Sequence, residues 1–196
     1  LLGEENTMAA MGTVLHMVNH SLIKLVLFMA AGVVFMNIHM LNLNEIRGFG
    51  RKKPLLHFIF LMGALGIGGI PLWNGYISKT LLHESIVEYT HLLKEGVLMP
   101  AMFGINVMKC IEWIFLISGG MTVAYMVKLY VAVFVEKNAD TKRQEQFDGM
   151  KHYMNLQSKL ALTVSAVFLP LMGVVPGVVM DFLAGRSIGF MNAEAL

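Results

Sequence analysis

The chain has 196 residues, 56% of them hydrophobic and 14% charged, with a net charge of +2 and a mean hydropathy of +0.64. A soluble domain carries roughly one-quarter charged residues, so this composition excludes one and predicts an integral membrane protein. No basic block interleaved with aromatics points to nucleic acid, and the single cysteine, Cys110, excludes an internal disulfide or a cysteine-built metal centre and is expected to pack as a small apolar residue.

Residues 1–12 form a mostly polar lead-in with Glu4 and Glu5. They begin at Leu1 and carry no basic n-region, so no signal peptide is visible and the chain is expected to be a piece of a longer subunit. The first span is predicted over about 8–36. It contains His16, His20 and Lys24, four residues apart each time, which on a helix line up along one face over about 12 Å. A charge at bilayer depth costs about 3 kcal/mol or more, so such a row is expected to face protein or a wet cavity.

A polar connection follows, with Arg47, Arg51, Lys52 and Lys53 closed by Pro54. The next apolar stretch, about 55–89, is too long for one crossing of about 20 residues. Its middle, GIGGIPLWNG, holds Gly68, Gly69, Pro71 and Gly75. Residues of these types break helices, and a break inside a membrane is tolerated only where the freed backbone groups meet protein or water. Two half-helices are therefore predicted, interrupted near 68–75, with Lys79 just beyond. A third span is expected over about 105–134, with Lys109 and Glu112 near its start and Lys128, Tyr125 and Tyr130 as interfacial anchors near its end. A mixed-charge loop leads to a last span over about 156–184, interrupted by Pro170 and Pro176. The reading is thus an all-α polytopic bundle of about four spans, one of them discontinuous, forming a single transmembrane unit over 1–196. The 37–54 and 136–159 connections carry four and five basic residues, which places both on the cytoplasmic side and the termini outside.

Three chemistries are open to the histidine row. Histidine changes charge near working pH, so the row could hold or relay protons. It could equally be a set of polar groups bonded to neighbouring helices, a lock without transport. HMVNH is also an HxxxH, but no second such box exists, and the helical Glu of a zinc-protease motif is replaced by Met17. Two histidines on one face of one helix cannot approach a haem iron from opposite sides, so no metal or cofactor is expected. Lys79 lies beside the positive end of the second half-helix, while the carbonyl end of the first could receive a cation or water. Against that stands a snorkelling interfacial lysine. Lys109 and Glu112, three apart, could pair on one helix face, either as an interfacial ion pair or at the outlet of a path.

Together HMVNHSLIKLVLFMAAGVV, NEIRGFGRKKP, GIGGIPLWNGYISKTLL and GGMTVAYMVKLYVAVF resemble the antiporter-like, proton-translocating subunits of respiratory complex I (NADH-quinone oxidoreductase). The same family includes large subunits of Mrp-type cation/proton antiporters and membrane subunits of energy-converting hydrogenases and formate hydrogenlyase. The match runs in order from about Gly3 to Phe134. The resemblance implies about fourteen spans in two inverted repeats, of which this chain is similar to the last third. It makes Lys79 the ionisable residue of the second broken helix, on the outlet side, and His16, His20 and Lys24 part of the central hydrophilic axis. It further implies proton or cation translocation without a cofactor, in a bacterial or archaeal cytoplasmic membrane, beside sister antiporter-like subunits and a redox arm. A sodium/proton exchanger and a purely structural membrane anchor remain alternatives. The glutamate and lysine that the family uses in its first repeat have no counterpart here.

Overall fold

The computed structural model describes residues 7–95, 102–179 and 182, and among these there is no strand. Helix α1 (Thr7–Ile38) is unbroken, predominantly apolar and without proline. Its buried stripe, Leu15, Asn19, Ile23, Val26, Ala30 and Val33, recurs every three or four residues, which turns one face inward. His16, His20 and Lys24 each follow a stripe residue by one position, so they flank the packed face at its edge.

After the single turn α2 (Leu43–Ile46), helix α3 (Pro54–Gly68) opens with proline in its first turn, where the missing N–H costs nothing. It stops at Gly69, whose φ of +73° places it in the left-handed region, a conformation that glycine adopts without strain. The Gly69 and Ile70 amides then donate to the carbonyls of Gly66 and Leu65, each at 3.1 Å. The chain restarts as α4 (Asn74–Lys94), so the predicted second span is two helices separated by residues 69–73. The approach between them is close: a Cβ on Gly75 would stand 2.0 Å from the Gly66 carbonyl oxygen. Leu72, in the turn, also has a positive φ of 77°.

Helix α5 (Met102–Tyr130) runs on into a π-helical turn over Val131–Val135. A short α6 (Thr141–Gly149), N-capped by Asp140, gives the mixed-charge loop a fixed shape. Helix α7 (Leu156–Val174) passes through Pro170 and ends before α8 (Pro176–Val179). The tail with Arg186, and the ends of the lead-in and of the predicted last span, lie outside the described residues.

The core joins α1, α3 and α7 through Ile23, Val26, Ala30, Leu56, Ile59, Leu162, Ala166 and Leu169. Helix α4 packs along α1, where Gly12 lets the two approach closely at Leu81 and Leu82. Helix α5 leans on α3 and α4 by one edge and exposes Trp113, Ile114, Met121 and Val127. Cys110 is exposed on this helix and so is not the packing residue expected. Among the described residues three helices, Met8–Ile38, Gly104–Val135 and Leu156–Val174, are long and apolar enough to cross a membrane. The protein is an all-α membrane helix bundle.

Candidate ion-translocation site

Glycine and proline at the break free the last carbonyls of α3, and those carbonyls find a cation. Lys79, one and a half turns into α4, reaches back over Gly69 and donates from Nζ to Ile67 O at 2.8 Å and to Gly68 O at 3.4 Å. Its ammonium thus sits at the negative end of the α3 dipole. A Cβ on Gly69 would meet the Lys79 Cδ at 2.7 Å, so the glycine is needed both for its φ and to let the side chain lie there.

The α1 row meets the same place. Ser78, fully buried beside Lys79, has its Oγ 3.0 Å from His16 Nδ1 and donates onward to Gly75 O at 3.3 Å. The His16 and His20 rings lie 5.5 Å apart, centroid to centroid. Lys24, one turn further, is half-buried with its Nζ 5.6 Å from the Phe28 ring. A cavity of about 240 Å³ is lined by His16, His20, Lys24 and Lys79, together with Ile67 at the α3 end and Phe115, Ser118, Gly119, Thr122 and Tyr125 of α5. Of its lining residues, Ser118 and Tyr125 are exposed. Four basic side chains and several hydroxyls therefore share one space, and among the described residues no carboxylate lines it.

Beneath the cavity α1 and α4 are clamped by amides. Asn19 donates from Nδ2 to Asn74 O at 2.8 Å, and Asn74 returns a bond to Asn19 Oδ1 at 3.1 Å. Both are buried.

Glu112 faces across to α4 at His83 Nε2, 3.4 Å away, while Lys109 is exposed and no ion pair joins the two among the described residues. The i,i+3 pairing expected between them is thus not formed, because Glu112 points into the α4–α5 seam. Tyr125 and Tyr130 also differ from interfacial anchors: Tyr125 lines the cavity, and the Tyr130 hydroxyl is bonded to His57. Lys128 is exposed. Spacing gave no reason to single out Ser78 or Thr122, whose types are common in membrane helices, and it assigned Tyr125 to the interface rather than to the cavity. Asn19 was not singled out either, although it lies within HMVNH three residues after His16. Among the described residues no group of three or more His, Cys, Asp or Glu gathers as a metal site.

A helix interrupted within the bundle, a lysine held on its freed carbonyls and a basic row opening into the same cavity define a polytopic membrane protein with titratable groups in its interior. The chain belongs to the NADH:quinone oxidoreductase/Mrp antiporter transmembrane family, whose model matches residues 2–103. It is 26% identical to formate hydrogenlyase subunit 3 of Escherichia coli K12 over 92% of its own length and 28% of that protein. Hydrogenase-4 component B of the same organism is 26% identical over 69% of the chain and 19% of the relative. One subunit of the Na(+)/H(+) antiporter of Bacillus subtilis 168 is 32% identical over 45% of the chain and 11% of the relative. The chain thus spans less than a third of the length of each. No solved structure matches it.

Proposed function

We propose that this chain forms the outlet half of a proton path in a non-redox membrane subunit of a complex I-like quinone oxidoreductase or an energy-converting hydrogenase. The carrying observation is the shared cavity: His16, His20, Lys24 and Lys79 come from two helices yet line one space. Basic groups lodged at membrane depth, aimed inward and beside hydroxyls, suit a change of protonation state better than an anchor. The row delivers a proton towards the break, and Lys79 holds it on the Ile67 and Gly68 carbonyls until charge movement elsewhere in the complex weakens that hold. His16, fixed by Ser78, stands nearest the α4 side of the transfer. The partners are sister antiporter-like subunits and a redox arm, and the membrane is a bacterial or archaeal cytoplasmic membrane.

A second reading, sodium/proton exchange, is favoured by one observation. The Ile67 and Gly68 carbonyls at the break are hard oxygen donors, and they become free for Na⁺ when Lys79 leaves them.

The test is Lys79→Ala in the full-length subunit within its assembled complex, with proton ejection measured against electron transfer. Proton ejection is expected to fall by at least about tenfold, as for loss of a proton-transfer group, while the complex still assembles. Unchanged ejection from an assembled complex would leave only the structural anchor. A fall that appears only with a sodium gradient as driver would select the exchanger.

A further inference from the structure

One turn beyond Lys79 on α4 stands His83. Its ring lies nearly parallel to that of Phe115, with centroids 6.2 Å apart and planes at 21°. Phe115 is also a wall of the Lys79 cavity. On the other edge of His83, Nε2 is 3.4 Å from Glu112 Oε1, and in this geometry that buried nitrogen makes no hydrogen bond. The two side chains are 29% and 31% exposed, and beyond them on α4 Glu84 and Glu88 are exposed. Away from the break, titratable groups therefore run from the cavity, through a half-buried imidazole and carboxylate, to the exposed Glu84 and Glu88 in the second half of α4, the half expected to face outward.

We infer that His83 and Glu112 carry protons between Lys79 and the outer surface. This rests on the proton-path reading above and names its exit. A proton leaves Lys79 Nζ for one ring nitrogen of neutral His83. Their backbones are about 6 Å apart along the α4 axis, but Nζ is turned back to the Ile67 carbonyl, so the transfer requires the lysine side chain to leave that carbonyl and swing along α4, or a short file of cavity water to span the gap. The imidazolium then gives the proton on its other nitrogen to the Glu112 carboxylate. The resulting carboxylic acid releases it to outer water, leaving Lys79 and His83 neutral and Glu112 anionic, and rotation of the imidazole restores its tautomer. Imidazole suits the position because its two nitrogens accept on one side and donate on the other. Phe115 closes the side of the ring and keeps the exchange within the seam.

The experiment uses membrane vesicles holding the assembled complex, with Lys79→Ala, His83→Ala, Glu112→Gln and the His83→Ala/Glu112→Gln double variant. Proton ejection per turnover is expected to fall at least about tenfold in each single variant. The double variant is expected to fall no further than the singles, since both residues lie on one route. Added imidazole is expected to restore ejection to His83→Ala but not to Lys79→Ala, a response that a merely packing role would not give. If His83→Ala fails to assemble, His83→Gln, which keeps the volume and a donor but cannot carry a proton, takes its place. Loss in Lys79→Ala with normal ejection in the His83 and Glu112 variants would overturn this exit while leaving the proton path standing. Normal ejection in Lys79→Ala would remove the path itself.

Discussion

At the scale of single residues, the break is held by contacts that leave almost no freedom to substitute. Asn19 and Asn74 are buried and bonded to each other. Asn19→Ala strands the amide of Asn74 in a dry seam, and a buried polar group left unpaired costs about 1–3 kcal/mol. A lower thermal midpoint of the purified full-length subunit is expected, with no change at the surface control Glu88→Ala. Gly75 is more restricted, because any Cβ would fall on the Gly66 carbonyl oxygen at 2.0 Å. Gly75→Val is expected to prevent the half-helices from meeting and to abolish assembly, read as loss of the subunit from the isolated complex. His16, His20, Lys24 and Lys79 were legible in the sequence because each is expensive in lipid. Their partners were not: Ser78 and Thr122 cost little in a membrane helix whichever way they face, so nothing in their type betrays the cavity. The mispairing expected for Glu112 has the same origin, since spacing along one helix cannot weigh a histidine on another.

At the scale of elements, a second built region is formed where the two basic connections, 37–54 and 136–159, meet. The π-helical turn at Val131–Val135 presents the carbonyls of Ala132 and Val133 to the amides of Gly48 and Gly50, both at 2.9 Å. Asn138 donates to the carbonyls of Glu45 and Arg47 at 3.2 and 3.0 Å. Lys53, 1% exposed, donates to Phe49 O at 2.9 Å and Phe147 O at 2.8 Å with its ammonium 4.1 Å from the Phe49 ring centre. Burial pulls this lysine down to about 8 from its ordinary 10.5, with the Asp148 carboxylate opposing. Between those values the unfolded chain binds a proton that the folded chain has released, so this group makes folding stability rise with pH across the window. In Lys53→Met the rise of the thermal midpoint between about pH 8 and 10.5 is expected to be flatter than in the unsubstituted protein. An equal slope in both would mean that Lys53 does not titrate there. The helix break was readable from glycine and proline density alone, because both act on the local backbone. The π-helical turn was not, because VAVFV carries no local signal; the turn is fixed by the loop amides that it receives from more than 80 residues away.

At the scale of the whole molecule, the bundle divides into a packed side and an open one. Helices α1, α3 and α7 close on each other, while α5 leans on α3 and α4 and leaves its far face bare. The cavity lies under the edge of α5, so the order of side chains along α5, from Glu112 and Phe115 through Ser118 and Thr122 to Tyr125, also orders the proposed route between outer surface and interior. Everything rests on water reaching the basic groups beneath that edge. A thiol reports this directly, because only the thiolate reacts and it forms only in water. With Cys110→Ser as background in the assembled complex, Thr122→Cys is predicted to react with a small cationic methanethiosulfonate added to the aqueous phase, and Met121→Cys, on the exposed apolar face, to stay unmodified. Reaction at Met121→Cys with none at Thr122→Cys would mean that the basic row faces a dry interior and would contradict the account.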